Sequence, residues 1–101
     1  MQECKITLGR VIKSGRKYRE FSQRELCWFI AYEYGCLLSH YELSKIENDR
    51  LEVQSIEYNW LIPVIAEIFN VNVEWLEQIR QQTEPQPLDL SQGMFPIYFK
   101  P

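Results

Sequence analysis

The strongest structural signal in this chain is the stretch SHYELSKIE, residues 39–47. It opens with a serine that can cap a helix, and its apolar residues Leu43 and Ile46 recur at helical spacing. A matching stretch, FSQRELC, occupies residues 21–27 and also begins at a potential capping serine. The two stretches therefore predict two short helices that follow one another along the chain.

Polar side chains dominate the outer face of the second predicted helix. They are His40, Tyr41, Glu42 and Lys45. Two short helices, the second with a polar outer face, are typical of a helix-turn-helix protein, which places that second helix in the major groove of duplex DNA.

The chain at this point resembles the phage-repressor and Cro-type (XRE-like) family, whose motif helices read S-Q-x-x-L-A and S-x-x-x-I-S-x-I-E. The matching residues are Ser22, Gln23, Leu26 and Cys27 in the first helix, and Ser39, Leu43, Ser44, Ile46 and Glu47 in the second. The resemblance covers residues 7–79. It implies an all-α, five-helix lambda-repressor-like domain, which we place at residues 1–82.

Length and composition agree with a small globular domain. The chain has 101 residues, of which 46% are hydrophobic, enough for one modest core. No apolar run is long enough to span a bilayer, and the chain does not open with a signal peptide, so we expect a cytoplasmic, nucleoid-associated protein without membrane contact. Three cysteines cannot all pair within one chain, and we interpret Cys4, Cys27 and Cys36 as thiols.

The charge distribution bears on the DNA hypothesis. A net charge of −3 is unusual for a nucleic-acid-binding protein. However, residues 1–24 carry a local charge of +5, and the remaining 77 residues carry −8. Because the local field depends on where charges lie, the first segment can still attract phosphates.

The first helix is predicted to begin after Thr7 and to run to about Tyr18. Gly15 stands where the family has a large aliphatic residue, and we expect the stretch after Cys27 to fill that space. That stretch, residues 28–38, is roughly six residues longer than the compact motif requires. It predicts a second helix extended to Tyr34 and ended by Gly35 in the left-handed conformation.

Two further helices and an arm complete the prediction. A long fourth helix is expected from Ser55, kinked or split by Pro63 and ended by Asn70; Asn72 then caps a fifth. Residues 83–101 form a proline-containing linker followed by an apolar arm. The arm side chains expected to dock, across a dimer in preference to the same subunit, are Phe95, Ile97, Tyr98 and Phe99.

The resemblance also implies functional roles for individual residues. His40, Tyr41 and Lys45 occupy the positions from which the family reads base edges, and Glu42 can accept from cytosine N4 although it would repel phosphates. The expected phosphate contacts are Lys13, Gln23, Arg24, Ser39, Asn48 and Arg50. Arg16 and Glu47 align with a partly buried ion pair that ties the first helix to the recognition helix.

Enzyme activity is not expected, because the chain has one histidine, no glycine-rich phosphate loop and no nucleophile beside an evident base. Cys36 and His40 are four residues apart, so a metal site with Cys4 or Cys27 is arithmetically open, but a closed zinc site normally shows two ligand pairs. A redox-sensing thiol at Cys4 or Cys36 is a further alternative. We predict no metal and no cofactor.

The sequence therefore predicts a homodimeric, sequence-specific DNA-binding transcription regulator, most simply a repressor. Two alternatives remain open. The acidic later part and the aromatic arm are also compatible with a protein-binding adaptor that keeps the fold without binding DNA. The second alternative is the antitoxin of a toxin–antitoxin pair, in which the arm would bind the toxin.

Overall fold

The computed structural model describes residues 6–83, and within that range it contains five α-helices and no strand. The helices are α1 (Leu8–Tyr18), α2 (Gln23–Tyr34), α3 (His40–Glu47), α4 (Leu61–Phe69) and α5 (Val73–Gln82). A 3-10 turn, Ile56–Tyr58, precedes α4. The all-α class is confirmed. The predicted docking of the apolar arm concerns residues outside the described range.

Local side-chain capping explains where most of the helices begin. Thr7, Ser22, Ser39 and Asn72 each accept a hydrogen bond from a backbone amide in the first turn of α1, α2, α3 and α5. At α2 the cap is a full capping box, because Glu25 also accepts from the Ser22 amide. These four helix starts lie where the sequence predicts them.

Left-handed residues end two of the helices. Gly35 has φ 69° after α2, and its amide donates to the carbonyl of Ala31. Asn70 has φ 56° after α4, and its amide donates to Ala66. Both are residue types that tolerate this conformation, and both helix ends are as predicted.

The predicted long fourth helix is wrong at its start. The chain forms the 3-10 turn after Ser55, and α4 begins only at Leu61, so that Ile56 is 80% exposed and does not join an apolar stripe. Pro63 lies in the first turn of α4. A proline is tolerated there because the first amides of a helix have no partner within the helix.

The space beside Gly15 is filled differently from the prediction. The aromatic ring of Phe69 lies against it, and a Cβ built on Gly15 would be 2.7 Å from the ring. The filler is therefore a side chain at the end of α4, and the prediction of a filler after Cys27 is wrong.

One core joins the helices. α1 packs against α3, α4 and α5, while α2 packs on α3 and α4 on α5. The largest side chains with no more than 1% exposure are Leu8, Ile12, Leu26, Ile30, Leu43, Ile46, Leu61, Ile65 and Leu76. Helix α3 has eight residues, too few for a stable isolated helix. It is stabilised by packing against both α1 and α2.

Candidate nucleic-acid interface

Helix α3 presents two side chains freely to solvent on one face. Tyr41 is 70% exposed, and Lys45, one turn later, is also exposed. Residues four apart lie one above the other on a helix. His40 is half-buried, and its ring centroid is 4.1 Å from that of Tyr41. Three of the four predicted base-reading residues therefore lie together.

Glu42 differs from the expectation of a free outer-face carboxylate. It is half-buried, and its Oε2 accepts a hydrogen bond of 2.6 Å from the hydroxyl of Tyr58. Burial of the Tyr58 phenol raises its pKa, and the hydrogen bond and charge of Glu42 raise it further. Because its carboxylate already has a protein partner, Glu42 is poorly placed to accept a hydrogen bond from a base.

The predicted ion pair between α1 and α3 is present. Arg16 Nε is 2.7 Å from Glu47 Oε2, and Arg16 Nη2 is 3.0 Å from Glu47 Oε1. Arg16 also donates to the carbonyl of Phe21, and the side-chain amide of Gln23 donates to Glu47 Oε1 at 3.0 Å. Both charged side chains are buried. A planar guanidinium held bidentately fixes the orientation of α3 as well as its position.

The predicted phosphate residues divide into two groups. Near the N-terminal end of α3, the guanidinium of Arg24, from the first turn of α2, lies 3.5 Å from His40 Nε2, and Ser39 caps α3. At the far end of α3, exposed Asn48 donates to the carbonyl of Ser44, and the amide of exposed Arg50 donates to the carbonyl of Lys45. The two groups lie at opposite ends of the same short helix.

Gln23 and Lys13 complete the predicted set. The Gln23 side chain donates one of its two Nε2 N–H groups to Glu47, and its second N–H and its backbone amide remain for the expected role at the start of α2. Lys13 is exposed on α1, together with Arg10 and Lys17, and exposed Arg19 follows the end of the helix. Among the lysines and arginines of residues 6–24, only Arg16 is buried, and the others lie on the surface.

The environment of Cys27 disfavours its thiolate form. Burial raises the pKa of the Cys27 thiol to about 11, with further contributions from the charges of Glu47 and Glu42. Cys27 is buried in the core as predicted. Between residues 6 and 83, no three His, Cys, Asp or Glu side chains are grouped so that they could hold a metal ion.

Sequence reasoning missed a close contact between α1 and the end of α3. A Cβ on Gly9 would be 2.2 Å from the carbonyl oxygen of Ile46, so the two backbones touch there. Buried Asp49, with φ 59°, accepts a hydrogen bond from the Thr7 hydroxyl beside this contact. The only sign of this contact in the sequence is Gly9 itself, because glycine is unfavourable inside a helix and its presence in α1 indicates a packing requirement.

A buried arginine on α5 was also missed. Arg80 is 4% exposed and donates to the carbonyls of Val53 and Ser55 and to the side chain of Asn59. It anchors the irregular segment between α3 and α4. Sequence gives little warning of this role, because a basic residue in the last turn of a helix is equally typical of a solvent-exposed position.

Comparison with protein-family models, curated proteins and solved structures finds no match to this chain. None of the helices described between residues 6 and 83 is long and apolar enough to cross a membrane.

Proposed function

We propose that this chain is a duplex-DNA-binding transcription regulator that acts as a homodimer, most simply as a repressor. The observation that carries the proposal is the exposed pair Tyr41 and Lys45 on α3, a helix held rigidly by the Arg16–Glu47 pair. A recognition helix must present donor side chains to the base edges while its own orientation is fixed. Lys45 supplies a donor for guanine acceptors, and Tyr41 offers a ring for a thymine methyl or a hydroxyl for a phosphate.

Surface charge near α3 supports contact with the DNA backbone. Arg24 lies at the N-terminal end of α3, and Arg50 and Asn48 follow its C-terminal end. Phosphate contacts on both sides of a recognition helix fix its register in the groove. In a symmetric dimer, two such helices would read half-sites about one helical turn apart.

The test is selection of bound sequences from random duplexes at two salt concentrations, followed by gel shift on the enriched site. A specific regulator yields an enriched, approximately palindromic motif whose affinity falls as salt rises. The absence of any enriched motif at physiological salt would exclude sequence-specific regulation. Gln78→Ala is a suitable control protein, because Gln78 is an exposed, uncharged residue on α5 outside the proposed contacts.

A second candidate function, a protein-binding adaptor, is favoured by one observation on α2. Trp28 and Tyr32 are stacked with ring centroids 5.6 Å apart and are 68% and 75% exposed. Exposed aromatic pairs are typical anchors of protein interfaces. An adaptor would bind duplexes weakly and without sequence preference, while Trp28→Ala would abolish capture of its partner. The antitoxin alternative is a special case of this function.

A further inference from the structure

An apolar groove lies on the side of the domain formed by α1, the end of α4 and the start of α5. Its volume is about 560 Å³, within the usual range of binding pockets. Apolar or aromatic side chains provide most of the lining, namely Ile6, Val11, Tyr18, Phe69, Val71 and Trp75. Gly15 makes the groove possible, because the absence of its side chain lets the Phe69 ring form part of the lining.

The groove leaves large apolar groups in water. Ile6 is 54% exposed, Trp75 is 40% exposed and Tyr18 is 85% exposed. An apolar occupant would remove much of this surface from solvent, which is favourable by the hydrophobic effect.

The described part of the chain ends at Thr83, beside the start of α1. The Thr83 hydroxyl accepts a hydrogen bond of 2.9 Å from the amide of Leu8 and donates to the carbonyl of Ile79, and Thr83 is 1% exposed. Ile6, two residues before Leu8, lines the groove. Thr83, the last residue of the described range, therefore lies at the start of α1, two residues from the groove-lining Ile6.

We propose that the apolar segment MFPIYF, residues 94–99, docks in this groove of its own chain. Ten residues separate Thr83 from this segment. Extended, they reach about 33 Å, whereas the part of α1 that lines the groove, Arg10 to Tyr18, is about 12 Å long. The linker is thus long enough to place the segment anywhere along the groove.

Charge and tethering support this occupant over an unlinked one. The linker carries Glu84 and Asp89, and the groove is lined by the guanidinium-bearing residues Arg10 and Arg19. A tethered segment is also present at an effective concentration on the order of millimolar, so even weak apolar contact suffices for occupancy. Docking on the same subunit is an alternative to the predicted docking across a dimer, and it does not depend on DNA binding.

The test is paramagnetic broadening in the full chain. A nitroxide is attached to Lys100→Cys in a Cys4→Ser, Cys36→Ser background, since Cys27 is buried and inaccessible. In ¹⁵N-labelled, spin-labelled protein diluted with excess unlabelled chain, the amides of Val11 and Val71 are expected to broaden. Broadening that appears only when ¹⁵N chain without label is mixed with spin-labelled ¹⁴N chain would mean docking on a second copy and would overturn the proposal.

Matched variants identify the groove as the docking site. Ser14→Glu puts a charge among the apolar lining at an exposed position, and it is expected to remove most of the broadening. Gln78→Glu adds the same charge on exposed α5 outside the lining and is expected to leave the broadening intact. Phe95→Ser removes an apolar side chain from the arm, and it is likewise expected to remove most of the broadening. Absence of broadening at the groove, or broadening unaffected by Ser14→Glu, would refute docking there.

Discussion

Arg16 on α1 holds Glu47 at the end of α3 through two hydrogen bonds of 2.7 and 3.0 Å, deep enough that both side chains are buried. This pair is the only salt bridge between different helices among residues 6–83. It joins α1, which carries three exposed cations, Arg10, Lys13 and Lys17, to the helix that carries the proposed base-reading residues. Its disruption should therefore affect the stability of the domain and the orientation of α3 together.

Arg16→Ala is expected to destabilise the domain by about 3 kcal/mol, because it leaves the buried Glu47 carboxylate without its cation. The double variant with Glu47→Ala should cost less than the two single costs added. Chemical denaturation of the four proteins measures this coupling, with Lys17→Ala as the control on the same helix. Strict additivity would contradict an energetic coupling between the two side chains.

Lys45→Ala is expected to weaken specific DNA binding by about 1–3 kcal/mol and to relax the preference at one base position. The physical reason is the loss of a donor to a base edge without any change in the core, since Lys45 is exposed. Binding measured on the selected site and its single-base variants tests this. Unchanged affinity and unchanged base preference would show that Lys45 does not contact a base edge.

The dependence of DNA affinity on salt is expected to be moderate. With about three phosphate contacts per subunit, the log–log slope for a dimer should be roughly −5. Arg24→Glu and Lys13→Glu should each weaken binding to all sequences alike, because phosphates carry no base information. A slope near zero, or a loss confined to one sequence, would contradict backbone contact by these residues.

Tyr58→Phe is expected to lose less stability than the wild type when the pH rises into the alkaline range. Burial and the Glu42 hydrogen bond raise the pKa of Tyr58 in the folded state above its ordinary value of 10.0, so the folded protein keeps a proton that the unfolded chain releases. The free energy of unfolding therefore decreases as the pH rises above about 10. Denaturation at neutral and alkaline pH measures the effect, and Tyr32→Phe, at an exposed position, is the control. Identical pH dependence in wild type and Tyr58→Phe would refute it.

Gly9→Ala is expected to destabilise the domain by about 1–3 kcal/mol, although alanine is the better helix former. The new methyl group would overlap the carbonyl oxygen of Ile46, and α1 would have to move away from α3. Thermal denaturation measures the change, with Ser14→Ala as the control at an exposed position of α1. A stabilised Gly9→Ala protein would show that the two backbones are not in contact.

Four of the five helix starts, and the ends of α2 and α4, were determined by local sequence. A capping serine such as Ser39 bonds to an amide three residues away, and a left-handed residue such as Gly35 needs only its own freedom at φ. These interactions close within one turn, so the pattern of neighbouring residues predicts them. The Arg16–Glu47 pair joins residues 31 apart in sequence, and it was predictable only through the family resemblance.

Only the tertiary structure decided which surfaces meet. Glu42 has the sequence pattern of an outer-face residue, but Tyr58, 16 residues later, binds its carboxylate. Phe69 fills the space at Gly15, and the Ile46 carbonyl rests on Gly9, because the packing angle of each helix pair is set by all the side chains between them. Periodicity along one helix shows which face is buried. Periodicity does not show which element packs against that face, because this depends on contacts between residues that are distant in sequence.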